Sequence, residues 1–311
     1  MEVPLSWQLA KLAVSIGMVL GLGAIAVRVS PRVAGLLAGY PLGTAIALFF
    51  IGLELSTGFA AESAVHTLAG FTATLALGGG YLLAGRRPGL PGVAAGTAAG
   101  LAAFLAVSML LTRVEFDRLS GTLTTLAAIA LFSWLYRRVP DSAARPSGRF
   151  SWAALGVRAL LAAAIIFAIT GMAHFLPAAW AGVMAAFPVT MYPFLVILHL
   201  THGPGPVATV IKHYPAGLGS LLSYTLCVSL AYPVLGLGLG TLAGFAVATL
   251  WLLSWTRLQA WQHARRSPRL DRALAWGKAV VPVGNTTRSP CHVYPHHRAR
   301  FLRHRRPGSY Q

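Results

Sequence analysis

Glu62 and His66 stand four residues apart in an apolar run, so a helix sets both side chains on one face. A carboxyl beside an imidazole can pass a proton near neutral pH if burial raises the carboxyl's pKa. Lys212 and His213 stand in a later apolar run, with His213 placed 147 residues after His66 and Thr209 at the position of Glu62. A charge at the bilayer centre costs about 2.5–3.5 kcal/mol on insertion scales, so such groups line a pathway or are paired. The expectation is that Glu62, His66 and His213 are proton or gate residues and that Lys212 attracts an anionic group. The plainer reading of Glu62, a few residues into its run, is a carboxylate that reaches back to the interface.

The second feature is a pair of aromatic–proline breaks, Tyr40–Pro41 and Phe187–Pro188, with Pro193 following the second. Proline interrupts the helical ladder and frees carbonyls, which is tolerable at membrane depth only against protein or a water-filled cavity. Such breaks line substrate sites in transporters, or simply kink a helix for packing. One such kink would favour packing, and recurrence brings the site reading level with it; on that reading Tyr40, Pro41, Phe187 and Pro188 are expected to shape a cavity.

These pairs belong to a repeat. Gly35 to Pro41 reads G-L-L-A-G-Y-P and Gly182 to Pro188 reads G-V-M-A-A-F-P, again 147 residues on. The same offset brings Gly70 onto Gly217, while Gly96 to Ala103 matches Gly240 to Val247 at 144.

The elements that carry these residues must be membrane helices. Hydrophobic residues make up 56% of the chain and charged ones 10%, against roughly 25% charged in soluble domains. Nine apolar runs approach the roughly 20 residues of a crossing: 8–28, 33–54, 60–85, 90–112, 118–137, 153–175, 179–200, 205–230 and 234–256. The first has its basic residues after the run, unlike a signal peptide. Loops after the first, third and fifth runs hold Arg28, Arg32, Arg86, Arg87, Arg137, Arg138, Arg145 and Arg149; Lys11, Arg113 and Arg118 fall on the other side. The positive-inside rule then sets the N-terminus outside and the C-terminus in the cytoplasm of a bacterial inner membrane. The expected fold is all-α: a polytopic membrane protein of about nine transmembrane helices as 4+1+4 inverted-topology repeats. Its parts are a first four-helix repeat (1–112), a linker helix and loop (113–152), a second repeat (153–257) and a basic tail (258–311).

The net charge of +18 is topological, since twelve of the 25 Lys and Arg lie from Arg257 onward, and nucleic acid is not expected as a partner. Residues 257–277 suit a helix on anionic lipid. Cys291, His292, His296 and His297 lack a second ligand pair of familiar spacing, so no metal or cofactor is expected. Two cysteines make no disulfide framework. Gly96 and Gly100 in the fourth run and Gly240 and Gly244 in the ninth form small-residue seams, expected to pack those two helices on each other. His174, His199 and His202 sit at run ends and read as ordinary interfacial histidines.

The string A-G-[VL]-x-x-x-F-P at Ala181 to Pro188, followed by a run ending in His199, resembles the GlpM-type small bacterial membrane proteins; Ala34 to Pro41 carries Tyr for Phe. The resemblance implies a four-helix unit, duplicated and fused here. The inverted plan is also similar to the drug/metabolite transporter superfamily, which implies alternating access about a central site. The chain departs from the small multidrug-resistance pattern, because its first and sixth runs lack an acidic residue.

The function expected is a secondary transporter of a small metabolite or ion, proton-coupled if Glu62 titrates. The alternative is a non-catalytic scaffold or accessory subunit of envelope polysaccharide or lipid export, with a protein partner at the basic tail. No Walker, Rossmann, H-E-x-x-H or G-x-S-x-G pattern is present, so an enzyme is not expected.

Overall fold

The computed structural model describes residues 5–26, 31–142 and 152–279, and every element among them is a helix. In order these are α1 (Leu5–Ala26), α2 (Pro31–Ala38), α3 (Leu42–Glu54), α4 (Thr57–Ala84), α5 (Gly89–Leu111), α6 (Arg118–Tyr136), α7 (Trp152–Ala173), α8 (Ala178–Ala185), α9 (Met191–His202) and α10 (Pro204–Ala279). Five of the described helices are long and apolar enough to cross a membrane: α4, α5, α6, α7 and α10. Large apolar side chains stand outward on α5 and α6, among them Leu105, Met109, Leu110, Leu119, Leu123 and Leu131. A soluble protein rarely exposes so much contiguous apolar surface, whereas hydrocarbon solvates it.

Helix ends fall where the chain supplies stop and start signals. The Ser56 hydroxyl accepts from the Phe59 N–H at 3.1 Å and opens α4. Asp117 and Ser120 form a reciprocal capping box at α6. Inside α10, Gly236 has φ +71° and divides it into helices 204–235 and 237–279. Gly89, which opens α5, has φ +73° and precedes Gly236 by 147 residues. An L side chain rarely adopts that conformation, so glycine is required at both turns.

The repeat reappears in the element bounds. Both ends of α1 recur 147 residues later in α7, and both ends of α2 recur in α8. The starts of α4 and α10 keep the same offset, while α6 lies between the two sets. Two buried clusters form the core, and each mixes the copies. One joins Ile46, Leu48 and Ala60 with Ile166, Val183 and Tyr224. The other joins Leu68, Phe71 and Leu75 with Leu195, Val210 and Leu218.

The glycine seams pack differently from expectation. A β-carbon on Gly96 would meet the Tyr81 ring at 3.1 Å, and one on Gly100 the Leu77 carbonyl oxygen at 3.0 Å. Gly240 faces Tyr232 and Gly244 faces Tyr224 in the same manner. Each seam therefore seats its helix on the preceding helix of its own copy, α5 on α4 and residues 237–259 on 204–235, instead of joining the copies. A small-residue face admits any close neighbour, and the short turns at Gly89 and Gly236 place that neighbour beside it.

The chain divides into Met1–Gln259 and Ala260–Gln311. Of the second unit, residues 260–279 are helical. Cys291, His292, His296 and His297 lie outside the described residues.

Candidate functional site

Both aromatic–proline steps are true interruptions. The helix stops after Ala38 and resumes at Leu42, and again stops after Ala185 and resumes at Met191. Pro41 takes a non-helical conformation and serves as N-cap of α3. The two breaks meet. Ala38, Tyr40, Gly43 and Thr44 from the first, and Ala186, Phe187, Pro188, Val189 and Thr190 from the second, line one space with Tyr214 and Leu221 of α10. It measures about 10 Å³, enough for one water molecule.

The peptide groups around the second break are satisfied by side chains of the other copy. Thr67 of α4 donates its hydroxyl to the Gly182 carbonyl at 2.8 Å, and Thr74 donates to the Ala186 carbonyl at 2.5 Å. The positions 147 residues on are Tyr214 and Leu221, both in the cavity wall beside the first break. The copies thus use one location in two ways, as hydroxyl caps at one break and as an apolar wall with a buried phenol at the other.

Contacts across the copies are exchanged in matching pairs. A β-carbon on Gly35 of α2 would lie 2.6 Å from the Val210 carbonyl oxygen and 3.2 Å from the β-carbon of His213. One on Gly182 of α8 would crowd the Ser63 carbonyl oxygen and lie 2.9 Å from the β-carbon of His66. Gly39 abuts the Gly217 backbone, and the β-carbon of Ala186 abuts Gly70. The break aromatics cross likewise. Tyr40 stacks on Phe245 at 6.0 Å and hydrogen-bonds Thr249 at 2.9 Å. Phe187 meets Phe104 edge-on at 5.2 Å.

Of the residues singled out in the sequence, Tyr40, Phe187 and Pro188 line the cavity, while Pro41 is the N-cap of α3 and is not among the lining residues. Glu62, His66, Lys212 and His213 are not among its lining residues. His66 is half-buried and Glu62, one turn before it, is exposed. Lys212 donates to the Val139 carbonyl at 2.6 Å and lies 3.4 Å from Asp141 Oδ1. His213 Nε2 is 3.0 Å from the same carboxylate oxygen, and the Ser142 N–H donates to Thr209 Oγ1 at 2.8 Å. Lys212, His213 and Thr209 therefore bind the segment after α6 onto α10. Burial alone pulls the Asp141 carboxyl upward, but the hydrogen bonds and positive charges of His213 and Lys212 outweigh it and hold its pKa below the ordinary value.

A second ionic cluster is absent from the sequence reading. Lys11 is 3% exposed; its ammonium pairs with Glu54 and donates to Thr170 Oγ1 at 2.7 Å. It also lies over the rings of Phe167 and Phe50, at 4.9 and 5.5 Å. His174 Nε2 stands 3.1 Å from the other Glu54 oxygen. The cluster joins α1 and α3 of the first copy to α7 and the turn after it. Lys11 is therefore a buried, neutralised cation and not a loop charge. The position 147 residues on is Arg158, also buried, at 5% exposure. The available signal was that offset: two cations at one place in the repeat, each inside an apolar run.

His199 is structural. Its Nε2 lies 2.8 Å from the Arg87 carbonyl, which can only accept, so Nε2 carries the hydrogen. Nδ1 then accepts from the Tyr81 hydroxyl at 3.0 Å. The larger cavity, about 400 Å³, lies between α6 and α10, with Trp251 and Trp255 in its wall and no ionisable side chain among its lining residues. No protein-family model, curated protein or solved structure matches the chain.

Proposed function

We propose that this protein is a secondary transporter that moves a small metabolite or ion across the bacterial inner membrane by alternating access. The observation that carries the proposal is the shared wall of the two helix breaks. Broken helices at membrane depth are tolerated against protein or a cavity, and a pair of breaks that meet at one wall suits a ligand site. Each break aromatic grips the fourth helix of the other copy, so any rocking of one copy against the other reshapes the cavity.

In this reading α2 with α3 and α8 with α9 are each one crossing, and α10 supplies two. The total is nine, arranged 4+1+4, with an outer N-terminus and a cytoplasmic C-terminus. Five crossings from the start of one copy to the start of the next invert the second copy. The exchanged pairs Gly35–His213 and Gly182–His66 suit two copies related by a two-fold axis. Lys11, Glu54 and His174 then form an outer gate between the copies, and Lys212, His213 and Asp141 form an inner latch. Glu62 and His66 are the candidates for proton exchange. A unit of GlpM type, duplicated and fused, is the ancestry this plan suggests.

The test is solute counterflow in proteoliposomes containing the full chain, run over a panel of small anions, cations and amphiphiles. Saturable exchange of at least one solute, lost in Tyr40→Ala and Phe187→Ala but retained in Leu123→Ala on the lipid-facing side of α6, is the expected result. Loss of proton uptake in Glu62→Gln would locate the coupling group. Exchange unaffected by both aromatic substitutions would overturn the assignment of the site.

A further inference from the structure

Lys11 and Arg158 hold the same place in the two copies but have opposite circumstances. Lys11 reaches toward the end of α3, where Glu54 neutralises it. The position 147 residues after Glu54 is Thr201, whose hydroxyl donates to the Ile197 carbonyl of its own helix. Arg158 reaches instead toward the start of α9. Its Nη2 lies 3.4 Å from the Thr190 carbonyl, and its guanidinium stands over the Phe194 ring at 4.9 Å. Its Nε has no hydrogen-bond partner, and no carboxylate among the described residues pairs with it.

A guanidinium has five N–H donors, and here one long contact occupies a single group. Leaving such a cation buried and unpaired is unfavourable, and a bound anion offsets that cost. The surroundings favour an anion in one further way. Thr190, whose carbonyl the guanidinium touches, lines the cavity where the breaks meet, which places Arg158 behind the cavity wall.

From this arrangement we infer that Arg158 forms the binding subsite for an oxyanion, the carboxylate or phosphate group of the transported solute. The inference rests on the breaks being the transport site, and it names the chemical class of the substrate. The planar fork of arginine matches two oxygens of either group. Phe194 stands against the guanidinium plane. The repeat has in effect one neutralised cation, which holds the copies together, and one held ready for a ligand.

Binding can be measured without flux, which separates this inference from the transport reading. The full chain in neutral detergent is heated with acetate or inorganic phosphate, against chloride at equal ionic strength, and unfolding is followed by tryptophan fluorescence. The expected result is a saturable rise in Tm with at least one oxyanion. Arg158→Lys keeps the charge but loses the fork, and should weaken that binding about tenfold or more, the worth of one charge-assisted hydrogen bond. Thr190→Asp places a tethered carboxylate at the N-cap beside the guanidinium. It should raise Tm without ligand and abolish the response to added oxyanion. Equal oxyanion binding in the native chain and both variants would overturn the inference. So would a response seen only with vesicles of anionic lipid, since the ligand would then be a headgroup. Oxyanion binding that depends on Arg158, with no counterflow of any solute, would leave the subsite standing and remove the transport reading.

Discussion

Gly182 lies so close to His66 that a β-carbon added to it would stand 2.9 Å from the histidine's own. Gly35 approaches His213 in the same way, at 3.2 Å. Alanine at either position must push two helices of different copies apart, and the obstructing atoms include backbone carbonyls that cannot rotate away. Overpacking of this kind costs about 1–3 kcal/mol. Gly182→Ala and Gly35→Ala should lower Tm in detergent, whereas Gly238→Ala, with open space around its site, should not. An unchanged Tm in Gly182→Ala would mean that the α4–α8 contact is looser than described.

Glu54 neutralises a lysine that is almost wholly buried. Removing one partner of a buried pair strands the other, at a cost of about 3–5 kcal/mol, whereas replacing both with apolar groups costs far less. Glu54→Gln should therefore destabilise strongly, and Lys11→Met with Glu54→Leu should recover most of the loss. A double-mutant cycle on chemical unfolding measures this coupling. Additive effects of the single substitutions would show that the pair is not coupled.

Asp141 sets an acid limit on the contact between the segment after α6 and α10. Its folded pKa is depressed despite burial, because His213 and Lys212 favour the carboxylate. A depressed carboxyl contributes stability that is present above its unfolded value, about 3.9, and lost as pH falls through the lower folded value. The contact should accordingly hold from neutral pH down to the ordinary carboxylate range and open below it. Hydrogen exchange of residues 137–142 should show that acid step in the native chain. Asp141→Asn should show fast exchange at every pH; an acid step of unchanged size in that variant would assign it to another group.

Much of this was legible in the sequence because the signals were local. Apolar runs bounded by Gly, Pro and Ser mark the helices, and the recurrence of aromatic–Pro at 147 residues marks the two breaks, which the structure brings face to face. What stayed hidden depends on partners distant in the chain. Nothing near Lys212 announces that Asp141 will meet it, and Lys11 looks like a loop charge until Glu54 and Thr170 close around it. Spacing identified the glycine faces at Gly96, Gly100, Gly240 and Gly244. It could not say which helix they receive, since a bare face suits any neighbour. Arg158 was readable only through the repeat, as the partner position of Lys11.

The buried bridge at His199 gives a further test. Tyr81→Phe removes the hydroxyl that donates to its Nδ1 and leaves that nitrogen unsatisfied beside α4. The expected loss is about 1–3 kcal/mol of stability, with insertion unchanged. Tyr81→Phe at full stability would mean that water replaces the phenol.

The most direct test of alternating access uses single cysteines at Thr44 and Thr190, one on each break, in a chain with Cys227 and Cys291 replaced by serine. Membrane-impermeant maleimide is applied to sealed vesicles of either orientation, with and without the solute identified by counterflow. The proposal predicts that both positions are labelled from both faces, that solute protects them, and that a cross-link closing the Lys11–Glu54 side leaves only cytoplasmic labelling. Labelling of both positions from one face alone, under every condition, would contradict it.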